Sequence, residues 1–121
     1  MDFKEQKAIF QQIADRICDE IVQGMYKTGG RVPSVREYAA RMEVNANTCM
    51  RAYDLLQQSG IIYTKRGCGY FVEENAQEQI LEYRRTEFRR ELLPEVFRQM
   101  DLLSIDADTM CSMYNDWKNS N

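Results

Sequence analysis

Apolar residues near the start of the chain follow a helical spacing. Isoleucine stands at every fourth position from residue 9 to residue 21, and Phe10, Ala14 and Cys18 fall beside these isoleucines. Because residues three and four apart share one face of a helix, the pattern predicts an amphipathic helix over residues 6–23. Gly24 is expected to end this helix, and residues 27–30 are expected to form a loop.

Two further helices are predicted from their capping residues. Ser34 precedes Glu37 by three positions, the spacing of a capping box in which each side chain hydrogen-bonds the other residue's backbone N–H. The helix that begins there should end near Met42. Asn45 is a good N-cap for a third helix that runs to about residue 58. Two such helices joined by a turn of about three or four residues form a helix-turn-helix.

After residue 60 the apolar spacing changes from helical to alternating. Residues 61–64 and 70–72 are rich in β-branched and aromatic side chains, and the segment between them contains Gly67 and Gly69. This arrangement predicts a β-hairpin with glycines at its tip. A helix-turn-helix followed directly by a hairpin is a winged helix-turn-helix.

The remainder of the chain is predicted to be helical. Pro94 should kink or restart the helix that begins near Asn75, and a last helix is expected from Asp106 to about Trp117. The apolar residues of this tail exceed what a single helix can bury alone. The expected fold is mainly α with a small β-hairpin, divided into a winged helix-turn-helix over residues 1–74 and a tail of two or three helices over residues 75–121.

Charge is unevenly distributed along the chain, whose formal net charge is −3. Residues 24–72 carry seven basic and three acidic side chains, a net charge of +4, whereas residues 75–121 carry six basic and nine acidic ones, a net charge of −3. A basic segment within an acidic chain is the electrostatic footprint expected of a nucleic-acid-binding surface.

The chemistry of the chain argues against catalysis. Histidine, the commonest general base near neutral pH, is absent, and neither a glycine-rich phosphate loop nor a nucleophile elbow occurs. The four cysteines form no Cys-x-x-Cys pair, so we expect unpaired thiols and no zinc site. Cys68 has an alternative role as a redox-sensing thiol, because Lys65 and Arg66 stand beside it. We therefore expect no enzymatic activity, no cofactor and no metal.

We expect neither a secretion signal nor a membrane span in this chain. Its first residues lack a charged region followed by an apolar stretch, and no apolar run approaches the roughly 18 residues that a membrane span needs. The expected location is the cytoplasm.

Three motifs resemble those of the GntR-type bacterial regulators. The segment RVPSVREYAA (31–40) resembles their LPSxRxLA signature, and VNANTCMRAY (44–53) is similar to the VNPNTVxRAY reading helix of their short YtrA-type branch. The segment SGIIYTKRGCGYFV (59–72) is similar to the wing consensus xGxIxxxxGxGxFV. Because the motifs occur in this order and at the expected spacing, the resemblance covers residues 8–74 and extends in outline to the tail.

The resemblance implies a DNA-binding transcriptional regulator that recognises an inverted-repeat operator as a homodimer. Repression is favoured over activation. Residues 75–121 would form the dimerisation tail. The implied partner is double-stranded DNA, and the implied contacts are made by Ser34, Arg36, Asn45, Asn47, Thr48, Arg51, Lys65, Arg66, Gly67 and Gly69.

Each implied contact has a stated role and a structural alternative. Arg36 would read a base edge in the major groove, although it could be an ordinary surface arginine. Arg51 would bind phosphate or a base edge, and the residues Asn45, Asn47 and Thr48 would donate to phosphate besides capping their helix. In the wing, the glycines would let the hairpin tip enter the minor groove while Lys65 and Arg66 contact phosphates.

Three residues depart from the family pattern. Glu43 stands where a glycine is common before the reading helix, Ala46 replaces a frequent proline or arginine, and Met50 stands where many relatives carry arginine. Base specificity therefore does not carry over from the family. A small-molecule effector remains open, and the alternative function is a winged-helix module that binds proteins without binding DNA.

Overall fold

The computed structural model describes residues 7–121. Within that range, six α-helices and two strands run in the order α1 (Ile9–Val22), α2 (Val35–Met42), α3 (Ala46–Gln58), β1 (Ile62–Lys65), β2 (Gly69–Val72), α4 (Ala76–Glu87), α5 (Leu93–Leu102) and α6 (Ala107–Ser120). A π-helical segment, Phe88–Leu92, joins α4 to α5. The predicted start of the first helix at residue 6 lies outside the described residues.

The chain divides after Arg84 into two compact units. The expected boundary after residue 74 marks the end of the hairpin, whereas the compact N-terminal unit also includes most of α4. Ala76 and Ile80, on the first turns of this helix, are buried among the core side chains of the N-terminal unit.

The capped helix pair is confirmed. Ser34 and Glu37 form both hydrogen bonds of the capping box at the start of α2. Asn45 caps α3, its side chain accepting from the backbone N–H of Asn47. Between the two helices Glu43 adopts the left-handed conformation with φ of 56°, the conformation that a glycine takes at a helix end without strain.

Both strands of the hairpin extend one residue further toward the tip than the sequence indicated. The segment before α2 also hydrogen-bonds to the backbone of β2. Residues 62 and 72 pair at the base of the hairpin, and Lys65 pairs with Gly69 beside the tip. The N–H of Val32 donates to the carbonyl of Tyr70 at 3.0 Å, and the N–H of Val72 donates to the carbonyl of Gly30 at 2.9 Å. Residues 29–32 therefore hydrogen-bond along β2, and Arg31 forms an isolated bridge to Phe71. Residues 27–30 form the loop that the sequence pattern predicted.

The core of the N-terminal unit lies where α1, α2, α3 and the hairpin meet. The isoleucines at 13, 17 and 21 of α1 are buried, as the spacing predicted. Its largest fully buried side chains include Tyr38 of α2 and Tyr53 of α3, together with aliphatic residues of α1, α3 and the hairpin. Cys18 and Cys49 are buried, whereas Cys68 and Cys111 are exposed.

A buried carboxylate joins α1 to α2. One side-chain oxygen of Glu20 accepts hydrogen bonds from the hydroxyls of Tyr26 at 3.0 Å and Tyr38 at 3.1 Å. Burial, followed by the proximity of Glu20, raises the pKa of Tyr38, so this phenol stays a donor. Glu20 is only 8% exposed, and its contacts fix α2 against α1.

The C-terminal unit consists of short helices with exposed apolar side chains. Pro94 lies in the first turn of α5, directly after the π-helical segment, and confirms the predicted interruption. Asp106 caps α6 by accepting from the backbone N–H of Thr109 at 2.9 Å. Within residues 88–121, all of which the structure describes, no side chain is buried. The large apolar residues exposed there are Phe88, Phe97, Leu102, Leu103, Met113, Tyr114 and Trp117.

Candidate nucleic-acid interface

The N-terminus of α2 presents an exposed arginine on a fixed turn. The hydroxyl oxygen of Ser34 accepts from the N–H of Glu37 at 3.1 Å, and a carboxylate oxygen of Glu37 accepts from the N–H of Ser34 at 3.3 Å. These bonds hold the pKa of Glu37 below its usual range. Arg36 is exposed on this first turn, while Ser34 is half-buried. The capping box therefore defines the position from which Arg36 extends.

The N-terminus of α3 presents amide and hydroxyl side chains. The side-chain oxygen of Asn45 accepts from the N–H of Asn47 at 2.7 Å. Both asparagines are exposed and Thr48 is half-buried. Backbone N–H groups in the first turn of a helix have no intrahelical acceptor, so those that Asn45 does not bind form, with these side chains, a set of donors suited to an anion.

Arg51 makes a contact that the sequence did not indicate. Its guanidinium carbon lies 4.1 Å from the ring centroid of Phe10 on α1, although the arginine remains exposed. A guanidinium over a ring face is stabilised there and keeps N–H donors for other partners. Arg51 thus joins α3 to α1 besides being available to a ligand.

The hairpin tip, residues 65–69, carries the third group of expected contacts. Arg66, Gly67 and Cys68 form the turn and are exposed, as is Lys65 at the end of β1. The ammonium of Lys65 lies 5.3 Å from the ring centroid of Phe71. Both glycines have positive φ, 79° at Gly67 and 109° at Gly69, conformations that favour glycine whatever the function.

Arg31 is a basic residue near the wing that sequence reasoning missed. A Cβ atom placed on Gly69 would lie 3.2 Å from the side-chain Nε of Arg31, which shows how closely this exposed side chain approaches the hairpin. Its signal in the sequence was its place at the start of the RVPSVREYAA motif. Only the pairing of residues 29–32 with β2 brings it beside the tip.

Aromatic contacts hold the hairpin against the helix pair. The rings of Tyr53 on α3 and Tyr70 on β2 meet edge to face with centroids 4.9 Å apart. The hydroxyl of Tyr53 donates to the carbonyl of Pro33, directly before the α2 cap, at 2.6 Å. The hydroxyl of Tyr70 contacts the sulfur of Met50 on α3 at 3.8 Å. The expected contact residues therefore belong to neighbouring, mutually packed elements of one compact unit.

Tyr63 and Tyr70 are packing residues. The ring of Tyr63 stacks on Phe71 with centroids 5.7 Å apart. Burial raises the pKa of Tyr70 and, more strongly, that of Tyr53, so both phenols remain protonated donors at neutral pH.

The described part of the chain contains neither a cluster of metal ligands nor a membrane-spanning helix. Among residues 7–121, no group of three or more His, Cys, Asp or Glu side chains is arranged to hold a metal ion. Nor does any helix in that range combine the length and apolarity needed to cross a membrane.

Comparison with known proteins identifies the family. The model of the bacterial regulatory proteins of the gntR family matches residues 9–72, more than half of the chain. The chain belongs to the GntR family. The match extends from α1 to the end of β2, so it includes the helix pair and the wing described above. This GntR-family chain is accordingly a DNA-binding transcriptional regulator with a winged-helix domain, and the family is one of regulators and not of enzymes.

Two curated relatives match this chain over most of their own length. It is 36% identical over 108 residues to the uncharacterized transcriptional regulator YhcF of Bacillus subtilis, covering 89% of this chain and 88% of YhcF. It is 35% identical over 92 residues to the transcriptional repressor YtrA of the same organism, covering 76% of this chain and 71% of YtrA. A solved GntR-family structure from Bacteroides thetaiotaomicron is 45% identical, with a TM-score of 0.78 and coverage of 94% of this chain and 100% of that one.

Proposed function

We propose that this GntR-family regulator is a cytoplasmic repressor that binds an inverted-repeat operator as a homodimer. The observation that carries the proposal is the exposed donor surface formed by the N-termini of α2 and α3 and the hairpin tip, all within one packed unit. Most side chains on this surface that we expect to contact DNA are basic, amide or hydroxyl groups, the types that contact phosphates and base edges.

Each element of this surface has a distinct role in the proposal. Arg36 reads a base edge in the major groove, where a bidentate pair with guanine discriminates by about 1–3 kcal/mol. The first turn of α3, with Asn45, Asn47 and Thr48, binds phosphate, and Arg51 binds phosphate or a base edge.

The wing supplies sequence-independent contacts. Lys65 and Arg66 lie against phosphates, and the small residues Gly67 and Gly69 let the hairpin tip approach the minor groove. Arg31, beside Gly69, adds a further positive charge at this end of the surface. We expect these contacts to contribute affinity for every duplex alike.

Exposed apolar residues in the C-terminal unit support a homodimer. Phe97, Leu102, Tyr114 and Trp117 are each more than half exposed in the single chain. Helices of this length rarely persist in water without tertiary packing. A second copy of the same unit would cover these side chains, and two-fold symmetry would present two DNA-binding units to an inverted repeat.

Repression is the proposed sign of regulation because the relative YtrA is named a transcriptional repressor. A bound dimer would occupy promoter DNA and block access to it. No catalytic group or cofactor is needed for this mode of action.

The proposal is tested with the full-length protein and duplexes that it selects from a random-sequence library. We expect the selected sequences to contain an inverted repeat and their affinity, measured by fluorescence anisotropy, to fall steeply with salt as bound counterions are released. Arg36→Ala should reduce the difference in affinity between selected and random duplexes. Lys65→Ala should weaken binding to all duplexes and flatten the salt dependence of log K by about 0.9 for a lost phosphate contact.

The matched control is Lys118→Ala, which removes one positive charge from α6 and should leave DNA affinity unchanged. Undetectable or salt-insensitive binding would contradict the proposal and favour a protein-interaction module. Selected sequences without two-fold symmetry would contradict the homodimeric arrangement alone.

A further inference from the structure

The outer face of α3 carries an apolar side chain among polar ones. Met50 is 41% exposed, and its exposed neighbours on this helix are Ala46, Asn47, Arg51 and Asp54. Residues three and four positions apart lie next to each other on a helix surface, so Met50 is one turn from both Ala46 and Asn47. The middle of the proposed reading face is therefore apolar.

Met50 is held in place from the hairpin. The hydroxyl of Tyr70 contacts its sulfur at 3.8 Å, and the ring of Tyr70 packs edge to face on Tyr53. Methionine is ordinarily a flexible side chain with three rotatable bonds. Here an aromatic residue of β2 limits that freedom while much of the side chain remains exposed.

We propose that Met50 recognises the C5 methyl group of a thymine in the major groove of the operator. The inference rests on the proposed DNA-binding function and names a specificity determinant within it. In the major groove, thymine is the base whose edge carries a methyl group, whereas cytosine carries only a hydrogen at C5 and the purines present their polar N7 and six-position atoms. A thioether offers no strong hydrogen-bonding partner to those atoms, so it favours the methyl group.

The alternative role for Met50 is packing against Tyr70 without any contact to DNA. In that case, truncation of Met50 would change the stability of the N-terminal unit or the position of the hairpin, but it would not change how binding responds to a single methyl group on a base. A test of the inference must therefore add or remove the C5 methyl group of a single base.

The experiment uses full-length protein and the duplex selected from the random library, resynthesised with deoxyuridine in place of each thymine in turn. Uracil lacks only the C5 methyl group and pairs as thymine does. We expect one position in each half-site at which this replacement weakens binding by about fourfold, the effect of removing one buried methyl group. In Met50→Ala the same replacement should have no effect, and in Met50→Leu, which keeps an apolar side chain, it should still weaken binding.

A second duplex carries cytosine instead of thymine at the position where uracil weakens binding. Methylation of that cytosine at C5 should recover part of the lost affinity for the wild-type protein and none for Met50→Ala. The matched control is Met25→Ala, an equally drastic truncation of a methionine that is 58% exposed outside α3, and it should retain the full response to uracil.

Three results would overturn the inference alone. The wild-type protein could tolerate uracil at every position, the response to uracil could persist unchanged in Met50→Ala, or the selected operator could lack a recurrent thymine. Failure of the protein to bind any duplex would instead overturn the proposed function and this inference with it.

Discussion

Glu43 adopts a backbone conformation that is unfavourable for a residue with a Cβ atom. Its φ of 56° belongs to the left-handed region, which costs an L-residue with a Cβ atom about 1–2 kcal/mol. Its N–H nevertheless bonds the carbonyl of Ala40, and the next N–H bonds the carbonyl of Ala39. The turn thus has the left-handed geometry that glycine would adopt there without strain.

Glu43→Gly is expected to increase the free energy of unfolding by about 1 kcal/mol, because glycine adopts this conformation without the steric cost. Urea unfolding followed by circular dichroism measures the change. Glu43→Ala serves as the control, since it removes the carboxylate but retains the Cβ atom. An equal gain in both variants would show that charge, and not backbone strain, is responsible.

At the scale of single residues, capping could be predicted and buried polar contacts could not. Ser34 and Asn45 bond backbone groups two or three positions away, so their roles are present in the local sequence. Glu20 and Tyr53 are different, because their partners lie on other elements and meet them only in the folded chain. No periodicity in the sequence indicates such a pairing.

At the scale of secondary-structure elements, the two strands of the hairpin could be predicted from the sequence, but their contacts with distant segments could not. Its two strands alternate locally and were predicted to within one residue at the tip. The glycines at 29 and 30 form the predicted loop. The hydrogen bonds of this loop to β2 could not be predicted, because they join residues about forty positions apart.

Gly67→Ala and Gly69→Ala form a matched pair that tests the backbone of the wing. A Cβ atom at Gly67 meets nothing within 4 Å, so only the left-handed backbone opposes alanine, at a cost of about 1–2 kcal/mol. Gly69 has a φ of 109° and lies against Arg31, so its substitution should destabilise the protein more. Urea unfolding should show this order, and the reverse order would contradict the described hairpin geometry.

The cap of α6 should make a pH-dependent contribution to helix stability. The hydrogen bonds from Thr109 hold the pKa of Asp106 below its ordinary value of 3.8. The contribution is therefore fully present above that unfolded-state value and is lost as the pH falls through the lower folded-state value. The amide proton shift of Thr109, followed by NMR, should report this titration, and in Asp106→Asn, which cannot ionise there, the transition should disappear.

At the scale of the whole molecule, the sequence indicated two parts but not which core each apolar residue joins. Ile80 has the same helical spacing as the apolar residues of the tail, yet it is 2% exposed in the N-terminal unit. Arg84, one turn later, bonds Asp19 of α1 at 2.6 Å. A periodic pattern defines the face of a helix that is buried, but it does not identify the element that covers this face.

Two truncations separate folding from assembly. A chain ending at Arg84 retains Ala76 and Ile80 and should be a folded monomer, whereas one ending at Val72 loses them and should be destabilised, since burial of one isoleucine contributes about 1.5–3 kcal/mol. Sedimentation velocity and thermal unfolding measure the two properties. Dimerisation through the C-terminal unit would be contradicted if the chain ending at Arg84 formed a dimer. It would also be contradicted if the full-length protein were a monomer.

The distribution of the cysteines makes the protein convenient to label. Cys18 and Cys49 are enclosed in the core, and burial raises the pKa of the Cys49 thiol, which slows its reaction with maleimides further. The two accessible sulfurs belong to different parts of the chain, Cys68 to the hairpin tip and Cys111 to α6. With Cys111→Ser, a single fluorophore can be attached at the wing, and its emission would follow each encounter with a duplex in real time.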